Sequence, residues 1–364
     1  MKNNSKLYPI SNRLLINFYT LFRRATLVAL LFLIDNYLIG GTFNVRALWV
    51  VRDHVTSKKN IDEIIKFAVN NNYNHLFVQI RGRGDAYYSS KLVPRSHLLV
   101  NSNFDPLEYI ITEVRGTNIK IHAWLNTYYL WSSPQRPSQS DHILLNHPEW
   151  LDTKKPDEMN VTNMLKQMKK DRKINGEGFY LAPTHPEVEA HLQNLITELL
   201  QNYRLDGVHF DYIRYHDLGW GMNPTGLKLF LNYSSGMPGL PDLKIQEKPS
   251  FSDFKRSAIT QFLKKASLRV KAYQPGCVVS AAVKPNIYNA RNTFGQEWDL
   301  WLTAGYIDWA VPMNYTGNNQ LFDNNLQIIS DNIPKKYTEH IIMGIGAYNQ
   351  NPRSTGQKIY RVGK

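Results

Sequence analysis

What most constrains the fold of this chain is the alternation, from residue 46 onward, of short apolar runs with segments of helical spacing. "RALWVV" (46–51) reads as a strand, and "NIDEIIKFAVNN" (60–71) places Ile61, Ile64, Ile65 and Ala68 at the period of an amphipathic helix. Further strands are predicted at "HLFVQIR" (75–81), "KIHAWLN" (120–126), "DGVHFDY" (206–212), "CVVSAAV" (277–283), "IDWAVPMNY" (307–315) and "HIIMGIGAY" (340–348). Helices are predicted between them at 105–116, 186–203, 254–273, 296–305 and 323–333. Strands that are apolar throughout and separated by helices imply a parallel sheet covered on both faces. No glycine-rich phosphate fingerprint follows any of them, which argues against a dinucleotide-binding sheet. The expectation is an α/β fold, a (β/α)8 TIM-type barrel that lacks its eighth strand at the C-terminal end.

The first 42 residues fall outside that rhythm. Arg23 and Arg24 precede the apolar run "ATLVALLFLI" (25–34), too short for an ordinary membrane span and suited to a signal peptide or signal anchor. The predicted organisation is therefore a leader over 1–42 and a barrel domain over 43–364, with an irregular insertion around 131–180. The expected location is extracytoplasmic, periplasmic or secreted, with membrane contact only through an uncleaved leader. Of the formal charge of +13, about four units sit in that leader, and a second basic cluster lies at "KKPDEMNVTNMLKQMKKDRK" (154–173). No nucleic-acid motif accompanies it, so a nucleic-acid partner is not expected. The single cysteine, Cys277, excludes an intrachain disulfide and reads as a small buried hydrophobe.

In a barrel the active site forms at the C-terminal ends of the strands. Those ends carry Arg81, with Asp85 and Tyr88 in the loop behind it; His122, Trp124 and Asn126; His209, Asp211 and Arg214; Lys284; and Asn314 and Tyr315. Aromatic faces stack on pyranose rings while amides and charged groups take the hydroxyls, so this set points to a polysaccharide. Alternation along "DGVHFDYIR" puts His209 and Asp211 on one face and Val208, Phe210 and Tyr212 on the other, which aims Asp211 into the barrel mouth. Asp206, at the start of the strand, is expected to be structural.

The stretches "RALWVV", "VQIRGRGDAYYSS", "FDPLEYIITEVRG", "IHAWLN", "HPEW", "YLAPTHPEV", "DGVHFDYIRY" and "WLTAGYIDWAVPMNYT", in that order, resemble the glycosyl-hydrolase-like family 10 of exported bacterial proteins. The resemblance implies a barrel hydrolysing glycosidic bonds in a wall or matrix polysaccharide, peptidoglycan glycan strands first among them. Members of that family often carry a second acidic residue directly after the one matching Asp211; here Tyr212 takes that place.

Glycoside hydrolysis normally uses two carboxyl groups. Asp211 is the expected first. Glu297, opening a helix near the barrel top, and Asp85, beside two tyrosines, are the candidates for the second; each also has a structural explanation, as a helix-start charge or a turn residue. A chitinase-type D-x-x-D-x-D-x-E alignment would put Ile213 on the catalytic glutamate, which disfavours that chemistry. His122, His209 and Asp211 make a weak zinc set with no supporting motif, so no metal or other cofactor is expected. The competing expectation is a carbohydrate-binding protein on the same barrel, impaired in turnover.

Overall fold

The computed structural model describes residues 43–99, 103–156, 161–162, 165–166, 177–234 and 250–363. The expected leader, up to residue 42, lies outside the described residues. Val45–Val362 form one compact unit. Along the chain run β1 (Ala47–Val50), α1 (Lys58–Asn70), β2 (His75–Arg81), α2 (Pro106–Glu113), β3 (Lys120–Asn126), β4 (Tyr129–Trp131), α3 (Ile143–Asn146), β5 (Phe179–Tyr180) and α4 (Pro186–Asn202). Then follow β6 (Gly207–Asp211), α5 (Pro224–Ser234), α6 (Phe251–Tyr273), β7 (Val278–Val283), α7 (Ile287–Phe294), α8 (Trp298–Thr303), β8 (Trp309–Pro312), α9 (Asn319–Asn332) and α10 (Pro352–Val362).

Six of the strands form one sheet in the order β1-β2-β3-β6-β7-β8. Every pairing in it is parallel. The sheet curls into a TIM-type half-barrel, because inner-face side chains meet across it: Trp49 on β1 donates from Nε1 to His209 Nε2 on β6 at 3.2 Å. Two strand-leading aspartates fasten the bottom. Asp206 accepts the Ile121 N–H of β3 at 2.9 Å, and Asp308 accepts the Val279 N–H of β7 at 2.7 Å. The structural role expected for Asp206 is thus observed, and Cys277 is buried as expected.

The seventh strand expected over 340–348 is reduced to two parallel bridges, Ala310↔Ile341 and Met313↔Gly344. Pro312 has no N–H to give a ladder, and Gly344 and Gly346 bring no side chains to pack on it. The segment still runs beside β8, with Ile342 N bonded to Ala310 O and Gly344 N to Pro312 O, both at 2.9 Å. Between this segment and β1 the wall is crossed by a side chain. The Trp49 ring lies against Gly344, where an added Cβ would stand 2.8 Å from it.

The insertion expected around 131–180 is fastened at its base. β4 and β5 pair antiparallel, Tyr129 opposite Tyr180 and Trp131 opposite Phe179. That ribbon brings residue 177 to the rim of the barrel, beside the end of β6.

Candidate active site

The site is built on the inward face of β6. Gly207 is the lowest inward position, and its missing side chain makes room for the His122 ring, whose Nδ1 would lie 2.0 Å from a Cβ there. His122 pairs with His75 at 2.8 Å and stacks on Trp309. One level higher sits His209, fully buried and stacked on Phe77 with centroids 4.3 Å apart. The Trp49 indole can only donate, so His209 Nε2 accepts, and the ring proton is assigned to Nδ1, 2.9 Å from Ser280 Oγ. Burial pushes the His209 pKa down to about 3, which keeps the ring neutral. His122 and His209 are thus the packed floor beneath the mouth: both His209 nitrogens are engaged, with Trp49 and Ser280, and His122 Nε2 with His75, while His122 Nδ1 is buried without a hydrogen-bond partner.

Asp211 is the top inward residue of β6 and 6% exposed. Its Oδ1 accepts the Tyr212 N–H at 2.7 Å, and its carbonyl accepts the Thr127 N–H at 2.7 Å. Burial raises its carboxyl pKa to about 6, against the opposing pull of the Tyr212 N–H, the Arg214 charge and the Trp124 indole. Tyr212 itself has φ 48°, a left-handed conformation uncommon for a bulky residue. The turn lays the Tyr212 ring on Tyr129, centroids 4.6 Å apart, and puts it 4.9 Å from the Arg214 guanidinium.

The second carboxylate at this end is Glu177, which no motif or periodicity in the sequence marks. Arg214 Nη2 donates to Glu177 Oε2 at 2.6 Å, and the Tyr180 hydroxyl donates to the same oxygen. Partial burial alone would raise the Glu177 pKa. The Arg214 charge and the hydrogen bonds from Tyr180 and Arg214 outweigh it and hold the group below the ordinary glutamate value. The backbone N–H of Glu177 donates to His216 Nε2 at 3.2 Å. Glu177's charge also acts on Asp211, pushing that carboxyl further up. Two carboxyls on adjoining elements thus have their pKa values driven apart, one toward the acid and one toward the anion. Such divergence is how acid and base roles are divided in hydrolases.

Other predicted residues converge on the same mouth. Trp124 Nε1 donates to Asn126 Oδ1 at 3.1 Å, and Asn126 Nδ2 donates to Gly82 O at 2.8 Å, which fixes the amide. Lys284 lies over the Phe294 ring, 4.6 Å from its centre, and feels the charges of Arg214, Glu177 and Asp211. Tyr315 stands edge-on to Trp49 and to the 81%-exposed Tyr348, and the charge of Asp211 acts on its hydroxyl.

Five predicted residues are turned elsewhere. The ladder between β2 and β3 slips between Gln79 and Arg81, which rotates Arg81 to the outer face, against Leu192 and Ile196 of α4. Tyr88 is buried on the same side, its hydroxyl 3.3 Å from Glu198 of α4. Glu297 faces α6, taking the Thr260 hydroxyl at 3.1 Å and Arg256 Nε at 3.4 Å. Asn314 is spent on α9: its Nδ2 donates to Phe322 O and its Oδ1 accepts from Asn325 Nδ2. Asp85 is buried in the loop after β2, where Oδ1 accepts the Arg83 N–H at 3.0 Å, and its charge acts on Arg81 and Tyr87.

Comparison with known proteins agrees with this geometry. The model of the family described as Glycosyl hydrolase-like 10 matches residues 44–361. Glycosyl hydrolase YngK of Bacillus subtilis (strain 168) is 25% identical over 323 residues, covering 80% of this chain and 55% of the relative. Glycosyl hydrolase DigH of Escherichia coli (strain K12) is 24% identical over 275 residues, covering 66% of this chain and 54% of the relative. The chain thus spans about half the length of these curated relatives. Among solved structures, the PgaB (BpsB) glycoside hydrolase domain from Bordetella bronchiseptica superposes with a TM-score of 0.60 at 15% identity, covering 88% of this chain and 91% of that one. That likeness establishes the shared fold.

Proposed function

We propose that the chain, which belongs to the Glycosyl hydrolase-like 10 family, cleaves glycosidic bonds in a bacterial wall polysaccharide, with Asp211 as general acid and Glu177 as the anionic partner. The observation that carries this reading is the opposite displacement of the two carboxyls on either side of Arg214. Asp211, protonated below about pH 6, delivers its proton to the departing glycosidic oxygen as the bond to the anomeric carbon breaks. Glu177, held ionised by Arg214 and Tyr180, stabilises the developing positive charge on the sugar and takes the proton of the water whose oxygen bonds to the anomeric carbon in place of the departing glycosidic oxygen. The second acid absent at Tyr212 is supplied instead from the insertion.

Peptidoglycan glycan strands are the proposed substrate. Lys284 contributes an ammonium at the mouth that makes no ion pair among the described residues. It suits the lactyl carboxylate of a muramic acid residue freed of its peptide. The leader, with Arg23 and Arg24 before an apolar run, supports export to the compartment where that polymer lies.

The test is incubation with peptide-stripped glycan strands and with a glucosamine homopolymer, followed by mass spectrometry of released fragments. New reducing ends from the glycan strands, abolished in both Asp211→Asn and Glu177→Gln, are expected. Release that survives in either variant would sink the assignment of that residue. If nothing is released while the wild-type protein still sediments with the polymer, the chain is a binding protein.

A further inference from the structure

Behind the sheet, away from the mouth, Arg81 is fully buried between β2, β3 and α4. Its Nη1 donates to the carbonyls of Asn126 and Thr127 at the end of β3. Its Nε and Nη2 are buried and find no acceptor in the protein, and the same is true of the Thr127 hydroxyl. A small cavity opens beside these groups, lined by Arg81 and Thr127 and otherwise largely by hydrocarbon from Leu125, Leu192, Ile196 and Phe262. The charge of Asp85 acts on the guanidinium, but among the described residues no carboxylate forms an ion pair with it.

We propose that this cavity is a small-anion site, occupied by a dehydrated halide, chloride in ordinary solution, held by Arg81 and the Thr127 hydroxyl. A buried guanidinium needs both a counter-charge and acceptors for its remaining N–H groups. A water in this place satisfies one or two donors, leaves the charge uncompensated, and points its own hydrogens at an apolar wall. A monatomic anion accepts from every donor and has nothing to donate. The cavity's small size excludes oxyanions such as sulfate or a sugar carboxylate.

The site has a route to the mouth. Arg81 grips the carbonyls of Asn126 and Thr127, and the Thr127 N–H in turn holds the Asp211 carbonyl at 2.7 Å. An anion that fixes the guanidinium therefore fixes the end of β3, and with it the backbone at Asp211 and the Asn126 amide. Arg81 is here a positioning residue that does not itself reach the substrate.

The experiment compares thermal unfolding of the full chain in sodium chloride and in sodium gluconate at matched ionic strength, with a bromide-soaked crystal read by anomalous scattering. Expected are a rise in Tm that becomes logarithmic once chloride exceeds the Kd of the site, about 2–4 °C for each further tenfold increase, and a bromide peak within contact of Arg81. Arg81→Met should abolish the chloride dependence. Thr127→Val, which keeps the charge and removes one donor, should shift it to higher chloride and covers the case in which Arg81→Met does not fold. Equal Tm in the two salts, or a refined water with no anomalous signal at Arg81, overturns the proposal. Neither readout involves a substrate, so the anion site stands or falls apart from the hydrolase reading.

Discussion

Arg214 Nη2 and Glu177 Oε2 lie 2.6 Å apart, tying the turn behind β6 to the insertion that carries the second carboxylate. The guanidinium is 3% exposed and ringed by Tyr180, Tyr212 and Phe294. A lysine keeps the charge there and loses the planar fork. With fewer hydrogen bonds to the anion, the Glu177 pKa should rise toward the ordinary glutamate value. In Arg214→Lys the acid limb of the kcat/KM profile should therefore move to higher pH and narrow the active range. A profile with an unmoved acid limb would remove Glu177 from the titration.

Asp211 should cost the protein stability. Its folded pKa of about 6 stands above the ordinary 3.8, so the folded state binds the proton more tightly than the unfolded chain does. Relative to a neutral isostere, that advantage is complete below about pH 4 and is lost as pH rises through 6. Asp211→Asn should then stabilise the fold by about 1–3 kcal/mol at pH 7.5 and by almost nothing at pH 4. Chemical denaturation at the two pH values checks it; equal effects would mean that the carboxyl is not desolvated.

The same displacement sets the working pH. With Asp211 needed as the acid and its pKa near 6, kcat/KM should fall about tenfold per unit above that value. A plateau extending beyond pH 8 would show that another group donates the proton.

Tyr348 presents an 81%-exposed ring at the rim, edge-on to Tyr315. As a stacking surface for a sugar outside the cleaved bond, its loss in Tyr348→Ala should weaken binding by about 1 kcal/mol, roughly a fivefold rise in KM with kcat little changed. Steady-state kinetics on a soluble glycan oligomer measure this directly.

At Gly344 a methyl group would meet the Trp49 ring at 2.8 Å and Pro312 O at 3.1 Å. Gly344→Ala should destabilise the barrel by about 1–3 kcal/mol through overpacking. Pairing it with Trp49→Phe, which clears the space, should recover part of that loss.

The strand–helix alternation made the barrel legible in the sequence, and alternation within β6 aimed Asp211 at the mouth, where the structure places it; Trp124, Asn126 and Lys284 follow the same period at the ends of β3 and β7. The same rule carried through β8 puts Trp309, Val311 and Tyr315 inward and Asn314 outward, which is what the structure contains. Arg81 escaped it because a one-residue slip in the ladder reverses the facing of whatever follows. Glu297 sits where a helix start reads as the barrel top, yet its side chain takes the neighbouring helix as partner. Glu177 had no periodic segment to announce it. The one local sign is the glycine that follows it: Gly178 has φ 120°, and a Cβ there would stand 2.1 Å from Trp131 O, so the backbone can lie this close to β4 only without a side chain.

The contact of Trp49 with Gly344 also bears on how the protein is made. The first strand leaves the ribosome early, and the segment that seals its flank emerges only after nearly three hundred further residues. Until then the rings of Trp49 and Phe77 have no complete enclosure. A closing contact between such distant parts of the sequence is slow to form. The half-made wall is also open to association with other chains in the meantime. Completion of this barrel therefore waits until the chain through Gly344 has emerged, and holding the nascent chain apart from its neighbours until then is part of the cost of building it.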